Sequence, residues 1–147
     1  MRGWLAGGLV VLLAIAPTTL PGPARGQARE SAAPEISNLT IDPPFASPGG
    51  VAHIRFEFRG AQGGLRNATF VAKPATGTWR TSAFEDPVNR AIAALGTASE
   101  GVVEAEGRHG SRYAPEQRGT TNLYELRVTD RTGRKSNTLS VSLEVRL

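Results

Sequence analysis

Leu123 to Asp130 reads L-Y-E-L-R-V-T-D, Arg131 to Ser136 reads R-T-G-R-K-S, and Asn137 to Leu147 reads N-T-L-S-V-S-L-E-V-R-L. Tyr124, Leu126 and Val128 fall on one side of the first run, and Leu139, Val141, Leu143, Val145 and Leu147 on one side of the last. Two runs of period-two alternation around a short polar turn predict an antiparallel hairpin with one buried face. Asp130 and Gly133 suit the first and fourth positions of a β-turn. Burying each aliphatic side chain on such a face stabilises by roughly 1.5–3 kcal/mol. Core packing therefore accounts for these residues without any chemistry.

The alternation recurs upstream. Val51 to Arg59, V-A-H-I-R-F-E-F-R, sets Ala52, Ile54, Phe56 and Phe58 against His53, Arg55, Glu57 and Arg59. Leu65 to Lys73 places Ala68, Phe70 and Ala72 on one side, and Ile36, Leu39 and Ile41 mark a first strand ended by Asp42-Pro43-Pro44. Further strands are expected around Thr78 to Phe84 and Gly101 to Glu106, with turns at Ser47 to Gly50, Gly60 to Gly64 and Pro74 to Gly77. Asp86 to Gly96 departs from this pattern. There Asp86 suits an N-cap, Pro87 the first helical position and Gly96 a left-handed C-terminal residue, while Val88, Ile92 and Leu95 recur at helical spacing. A helix is predicted over about 87–95. Gly107 to Asn122 is a polar loop whose course the pattern does not set. Together these elements predict an all-β chain, an antiparallel sandwich of about seven strands with one short helix.

The N-terminal segment bears on compartment. Arg2, the uncharged run Trp4 to Ala16 and the polar, proline-broken stretch to Gln27 follow the order of a secretory signal peptide. The run of 13 residues is short of the roughly 20 that a spanning helix needs. Prolines at 17, 21 and 23 stop it from extending. Gly26 and Ala28 suit cleavage after Ala28, with Ala24 and Gly26 a second choice and retention as an anchor the alternative. The expected organisation is a signal peptide over 1–28, a flexible lead-in over 29–34 and one domain over 35–147, exported to the periplasm or secreted.

Of 147 residues, 119 remain after that cut, with 15 Lys and Arg against 13 Asp and Glu. So balanced a charge implies no nucleic-acid partner. The chain has no cysteine, which excludes lipidation at the cut, thiolate zinc sites and cysteine nucleophiles.

Tyr124 to Asn137, Y-E-L-R-V-T-D-R-T-G-R-K-S-N, preceded by Pro48 to Phe58, P-G-G-V-A-H-I-R-F-E-F, resembles secreted bacterial immunoglobulin-like or fibronectin type III-like modules. The resemblance spans residues 34–147. It implies a two-sheet immunoglobulin-like sandwich with a binding or spacer role. The chain departs from that pattern in three ways: it lacks an inter-sheet cysteine pair, Trp79 lies after the central strand, and the helix is an addition.

Chemistry is thinly represented. His53 reads as a surface histidine on its strand's polar face and His109 as one in a glycine-rich loop. Glu104 and Glu106, with Glu100 nearby, read as a solvated face, since no calcium-type loop accompanies them. Thr97 to Gly101 lacks the first glycine of a serine-nucleophile turn, and the glycine clusters lack the Gly-Lys-Ser/Thr ending of a phosphate loop. Neither an enzyme nor a cofactor or metal protein is expected. Arg131, Arg134 and Lys135 at the hairpin tip, with Arg108, Arg112 and Arg118 in the polar loop, offer an electropositive end for an acidic glycan or a protein partner. Asn38-Leu39-Thr40 and Asn67-Ala68-Thr69 match glycosylation acceptors. The leading expectation is a noncatalytic module that binds a protein or an envelope component. The alternative is a glycan-binding module that stacks its ligand on Trp79 and Tyr113.

Overall fold

The computed structural model describes residues 32–147. The expected signal peptide and the lead-in through residue 31 lie outside the described residues. Eight strands form: β1 (Glu35–Asp42), β2 (Phe45–Ala46), β3 (Val51–Arg59), β4 (Leu65–Lys73), β5 (Arg80–Thr81), β6 (Gly101–Arg108), β7 (Thr121–Asp130) and β8 (Leu139–Val145). Helix α1 (Glu85–Ala94) separates β5 from β6, and a 3-10 turn at Pro115–Gln117 precedes β7. The strands make two sheets, ordered β1-β3-β6 and β2-β8-β7-β4-β5, and every pairing is antiparallel except β2 with β8. Among the described residues, no helix is long and apolar enough to cross a membrane.

The inward faces follow the alternation. Ala52, Ile54, Phe56 and Phe58 from one sheet meet Ala68, Phe70, Leu126, Val128, Leu143 and Val145 from the other, all buried. The face thins at the start of β8, where Leu139 and Val141 are half-buried, and Leu147, beyond the strand's other end, is exposed.

Two bulges repair phase errors that strict alternation would leave. Ile36 and Ile41 are five positions apart yet both buried. Ser37 pairs with Glu57 and Thr40 with Arg55, so β1 carries one extra residue there, with Asn38 at φ 56°. The Asn38 amide donates to Glu57. In β4, Leu65 pairs with Asp130 and Asn67 with Thr129, and this second bulge brings Leu65 into phase with Ala68 and Phe70.

Helix α1 starts earlier than its sequence suggests. It opens at Glu85 with Phe84, not Asp86, at the N-cap position, and Pro87 stands in its third position. The reason lies in Ser82, whose amide donates to the Phe70 carbonyl (2.8 Å), whose hydroxyl accepts from Phe84 (3.1 Å) and whose carbonyl accepts from Glu85 (3.1 Å). These bonds also end the expected Thr78–Phe84 strand at Thr81. Gly96 takes the left-handed conformation (φ 60°) that the helix terminus requires.

The helix packs on β4 and β6 and buries Val88 and Ile92. It also completes the hydrogen bonding of β4. The Asn89 side chain accepts from the Ala68 amide (2.7 Å) and donates to the Ala68 carbonyl (3.1 Å), while Glu85 accepts from the Phe70 amide (2.9 Å). Across the domain, Asn137 does the same for β1, accepting from the Ile36 amide and donating to its carbonyl, both at 2.9 Å. Each asparagine amide thus acts as one residue of an added strand.

The β7–β8 turn forms as its sequence indicates, with the Gly133 amide donating to the Asp130 carbonyl (3.0 Å). Burial pushes the Asp130 carboxyl up. Bonds from the Thr132 hydroxyl and the amides of Arg134, Thr132 and Gln62 outweigh it and hold the group below the usual carboxylate range.

Replacing Asn89 by Ala leaves a strand amide and carbonyl unpaired, and each such loss costs roughly 1–3 kcal/mol. Urea unfolding of Asn89→Ala should show a lower midpoint at unchanged slope, with Asn89→Asp, which keeps the acceptor, falling between it and wild type. An unchanged midpoint in Asn89→Ala would remove the side chain from the account of sheet closure.

Candidate functional site

The inward phase of β6 runs Val103, Ala105, Gly107 and continues to His109. Its continuation is set by the opposite turn. The His109 amide donates to the Gly50 carbonyl (2.9 Å) and the Gly49 amide to the Gly110 carbonyl (3.0 Å), so the backbone stays extended past Arg108. His109 is consequently 5% exposed, and the surface position expected for it is corrected. The polar segment thus divides: Gly107 and Arg108 finish β6, Thr121 and Asn122 open β7, and 109–120 loop between them.

Phe84 packs above this end of β6. An added Cβ at Gly107 would lie 2.7 Å from its ring, so only glycine permits the approach. The Phe84 ring meets His109 edge-on at 4.9 Å and stacks on Tyr124 at 5.7 Å between centroids. These groups, with Arg80, Arg112, Tyr113 and Asn122, line a cleft of about 380 Å³.

The polar groups of the cleft are unusual in being buried and only partly bonded. Asn122 is 4% exposed, and its Oδ1 has no hydrogen-bond partner. His109 Nε2 also has none, while the ring's remaining nitrogen meets the Phe45 backbone. Burial lowers the His109 pKa, against the raising effect of the Phe45 bond. The ring is therefore neutral near pH 7, with Nε2 as a free acceptor. Burial and then the neighbouring Tyr113 push the Tyr124 hydroxyl up to about 12, opposed by an Asn122 hydrogen bond and by Arg80. Tyr113 is raised by its own burial and lowered by Arg80, whose charge therefore acts on both phenols.

Of the residues singled out in the sequence, Arg112 and Tyr113 line the cleft. Trp79 is 42% exposed beside Arg80 and does not line it. Arg108 donates to the Gly49 carbonyl (3.3 Å) near the same end. Arg131 is elsewhere: its amide donates to the Gly64 carbonyl (3.0 Å) and its guanidinium to the Gly96 carbonyl (3.3 Å) at the far end of β7, where Arg134 and Lys135 also stand. The ten residues of β7, at about 3.3 Å each, separate the two basic groups. His53 faces Glu106 (3.9 Å) and Arg55 faces Glu104 (3.6 Å) on the exposed side of the smaller sheet. Among the described residues, no three His, Asp or Glu side chains gather as metal ligands.

Sequence reasoning missed Arg80, His109 and Asn122. Only Asn122 left a trace, as a polar residue two positions before Tyr124 on the inward face of β7.

No family model matches the sequence, and no curated protein matches it. Among solved structures the chain is similar to a mutant of the SrpA adhesin from Streptococcus sanguinis, with 15% identity and a TM-score of 0.46 over 78% of this chain. It spans 59% of that chain's length.

The lowered His109 pKa fixes a pH dependence. Below its ordinary value of 6.5 the unfolded chain binds a proton that the folded chain resists. The stability is complete above pH 6.5 and declines as pH falls through it toward the lower folded value. Thermal unfolding should show a midpoint that drops across this window, and His109→Phe should flatten the drop. A slope that persists unchanged in His109→Phe would contradict the assignment.

Proposed function

We propose that this chain is an exported, noncatalytic binding module of immunoglobulin type whose recognition site is the cleft between the β5 segment and the 109–113 loop. The sheet orders support the type. A β1-β3-β6 layer facing β8-β7-β4-β5 matches the A-B-E and G-F-C-C′ layers of an immunoglobulin sandwich, with α1 in place of a fourth strand in the first layer. Binding surfaces of such sandwiches gather in the loops at one end, held by the rigid sheets.

The observation that carries the reading is that two residues lining an open cleft, His109 and Asn122, are nearly inaccessible and each holds a polar atom without a hydrogen-bond partner. Buried polar atoms are almost always bonded, so such a pair suits groups reserved for a ligand. Catalysis is not favoured, because the free imidazole nitrogen bonds no hydroxyl or carboxylate.

A second reading rests on β8, which β2 covers only at Glu144 and Val145. The remaining edge suits the addition of a strand from a protein partner.

Affinity capture from the native envelope, with the chain from Arg29 onward as bait, separates the two. Recovery of the bound component should fall at least tenfold with Arg80→Ala or Arg112→Ala and be unchanged in Ser142→Pro. The reverse pattern would favour the β8 edge, and retention in all three variants would reject both surfaces.

A further inference from the structure

Accepting the cleft as the recognition site, we infer that it takes an acidic sugar, with ring hydroxyls donating to His109 and Asn122 at its floor and an anionic group held by Arg80 and Arg112 at its mouth. The floor selects donors. His109 Nε2 and Asn122 Oδ1 are both acceptors without partners, and the Asn122 amide is already engaged with Tyr124. An anion placed there would meet lone pairs, whereas a hydroxyl supplies the missing hydrogen.

The mouth selects the opposite. Arg80 and Arg112 are exposed, and among the described residues neither guanidinium makes an ion pair or a side-chain hydrogen bond. Both also line a neighbouring hollow of about 460 Å³ that contains Glu116, the carboxylate on that side. Two guanidiniums against one carboxylate leave a positive balance, and guanidinium forks suit planar carboxylates and other oxyanions. An ammonium ligand is disfavoured by the same pair of charges.

The wall fits a sugar ring. Tyr113 is half-buried along the cleft, and an aromatic side chain there suits packing against a sugar's C–H groups. The volume of about 380 Å³ falls at the small end of the roughly 300–1,000 Å³ found for small-ligand pockets, which suits a single sugar unit. Hydroxyls at one end and an anion at the other are both needed to satisfy the lining, and neither a neutral sugar nor a simple carboxylate supplies both.

The test is titration of the mature chain with D-glucuronate, D-glucose, N-acetylglucosamine 6-sulfate and acetate, followed by NMR of the Asn122 side-chain amide and the His109 imidazole. Glucuronate or the sulfated sugar should shift both signals, with glucose and acetate at least tenfold weaker, and which acid binds tighter identifies the anionic group. Arg80→Ala with Arg112→Ala should weaken the acidic sugar at least tenfold, to the level of glucose. Added salt should weaken the acidic sugar alone. Equal binding of glucose and glucuronate, or binding of acetate as tight as glucuronate, would overturn the proposal. So would the absence of any shift with all four probes. If that absence is accompanied by loss of the captured envelope component in Arg112→Ala, the cleft remains the recognition site and only the ligand class fails. If capture is also unaffected, both fail.

Discussion

A sandwich of three and five strands leaves backbone N–H and C=O groups along its edges, and each group shut away from water must find a partner. Here two asparagines from outside the strands meet that requirement. Asn89 on α1 bonds both backbone groups of Ala68 in β4, and Asn137 after the β7 turn bonds both groups of Ile36 in β1. An amide side chain holds one donor and one acceptor in the spacing of a peptide group, so it can replace a strand residue without adding a strand. The helix is thereby tied to β4 while its apolar side, Val88 and Ile92, fills the space beside β6.

Fixing α1 in this way also places the cleft. The Ser82 bonds that begin the helix deliver Phe84 onto Gly107, and Phe84 in turn orders the rings of His109 and Tyr124. From the other side, the Ser47–Gly50 turn holds the backbone at His109 and Gly110. The polar floor is therefore built from two segments distant from the contacts that position them, while Arg80 and Arg112 stay exposed at its rim. Such an arrangement holds acceptors in place where solvent access is poor and leaves the flexible cations where they can meet a charged group.

The basic residues divide by role. Arg131 spends its backbone and guanidinium donors on the Gly64 and Gly96 carbonyls, the latter following the C-terminus of α1, where a cation is favoured by the helix dipole. At the opposite end of β7, the guanidiniums of Arg80 and Arg112 make no such ties among the described residues. Similar sequence neighbourhoods, rich in arginine and glycine, thus serve closure at one end of the sandwich and availability at the other.

Much of the frame was legible in the chain. Period-two alternation in Val51–Arg59, Leu65–Lys73 and the closing hairpin marked β3, β4, β7 and β8, and Val88, Ile92 and Gly96 marked the helix, because these patterns report backbone periods that local sterics and burial impose. The bulges at Asn38 and Arg66 were hidden, since an extra residue shows only in the register with a partner strand. The cleft was legible in part through Arg112 and Tyr113, while His109 read as a surface group because its burial depends on Gly50, far away in sequence. By itself, then, the sequence determined which segments alternate, turn and coil. Only tertiary structure decided that Asn89 and Asn137 replace strands and that Arg80, His109 and Asn122 share one cleft, because hydrogen bonds and desolvation between distant segments leave no period in the chain that makes them.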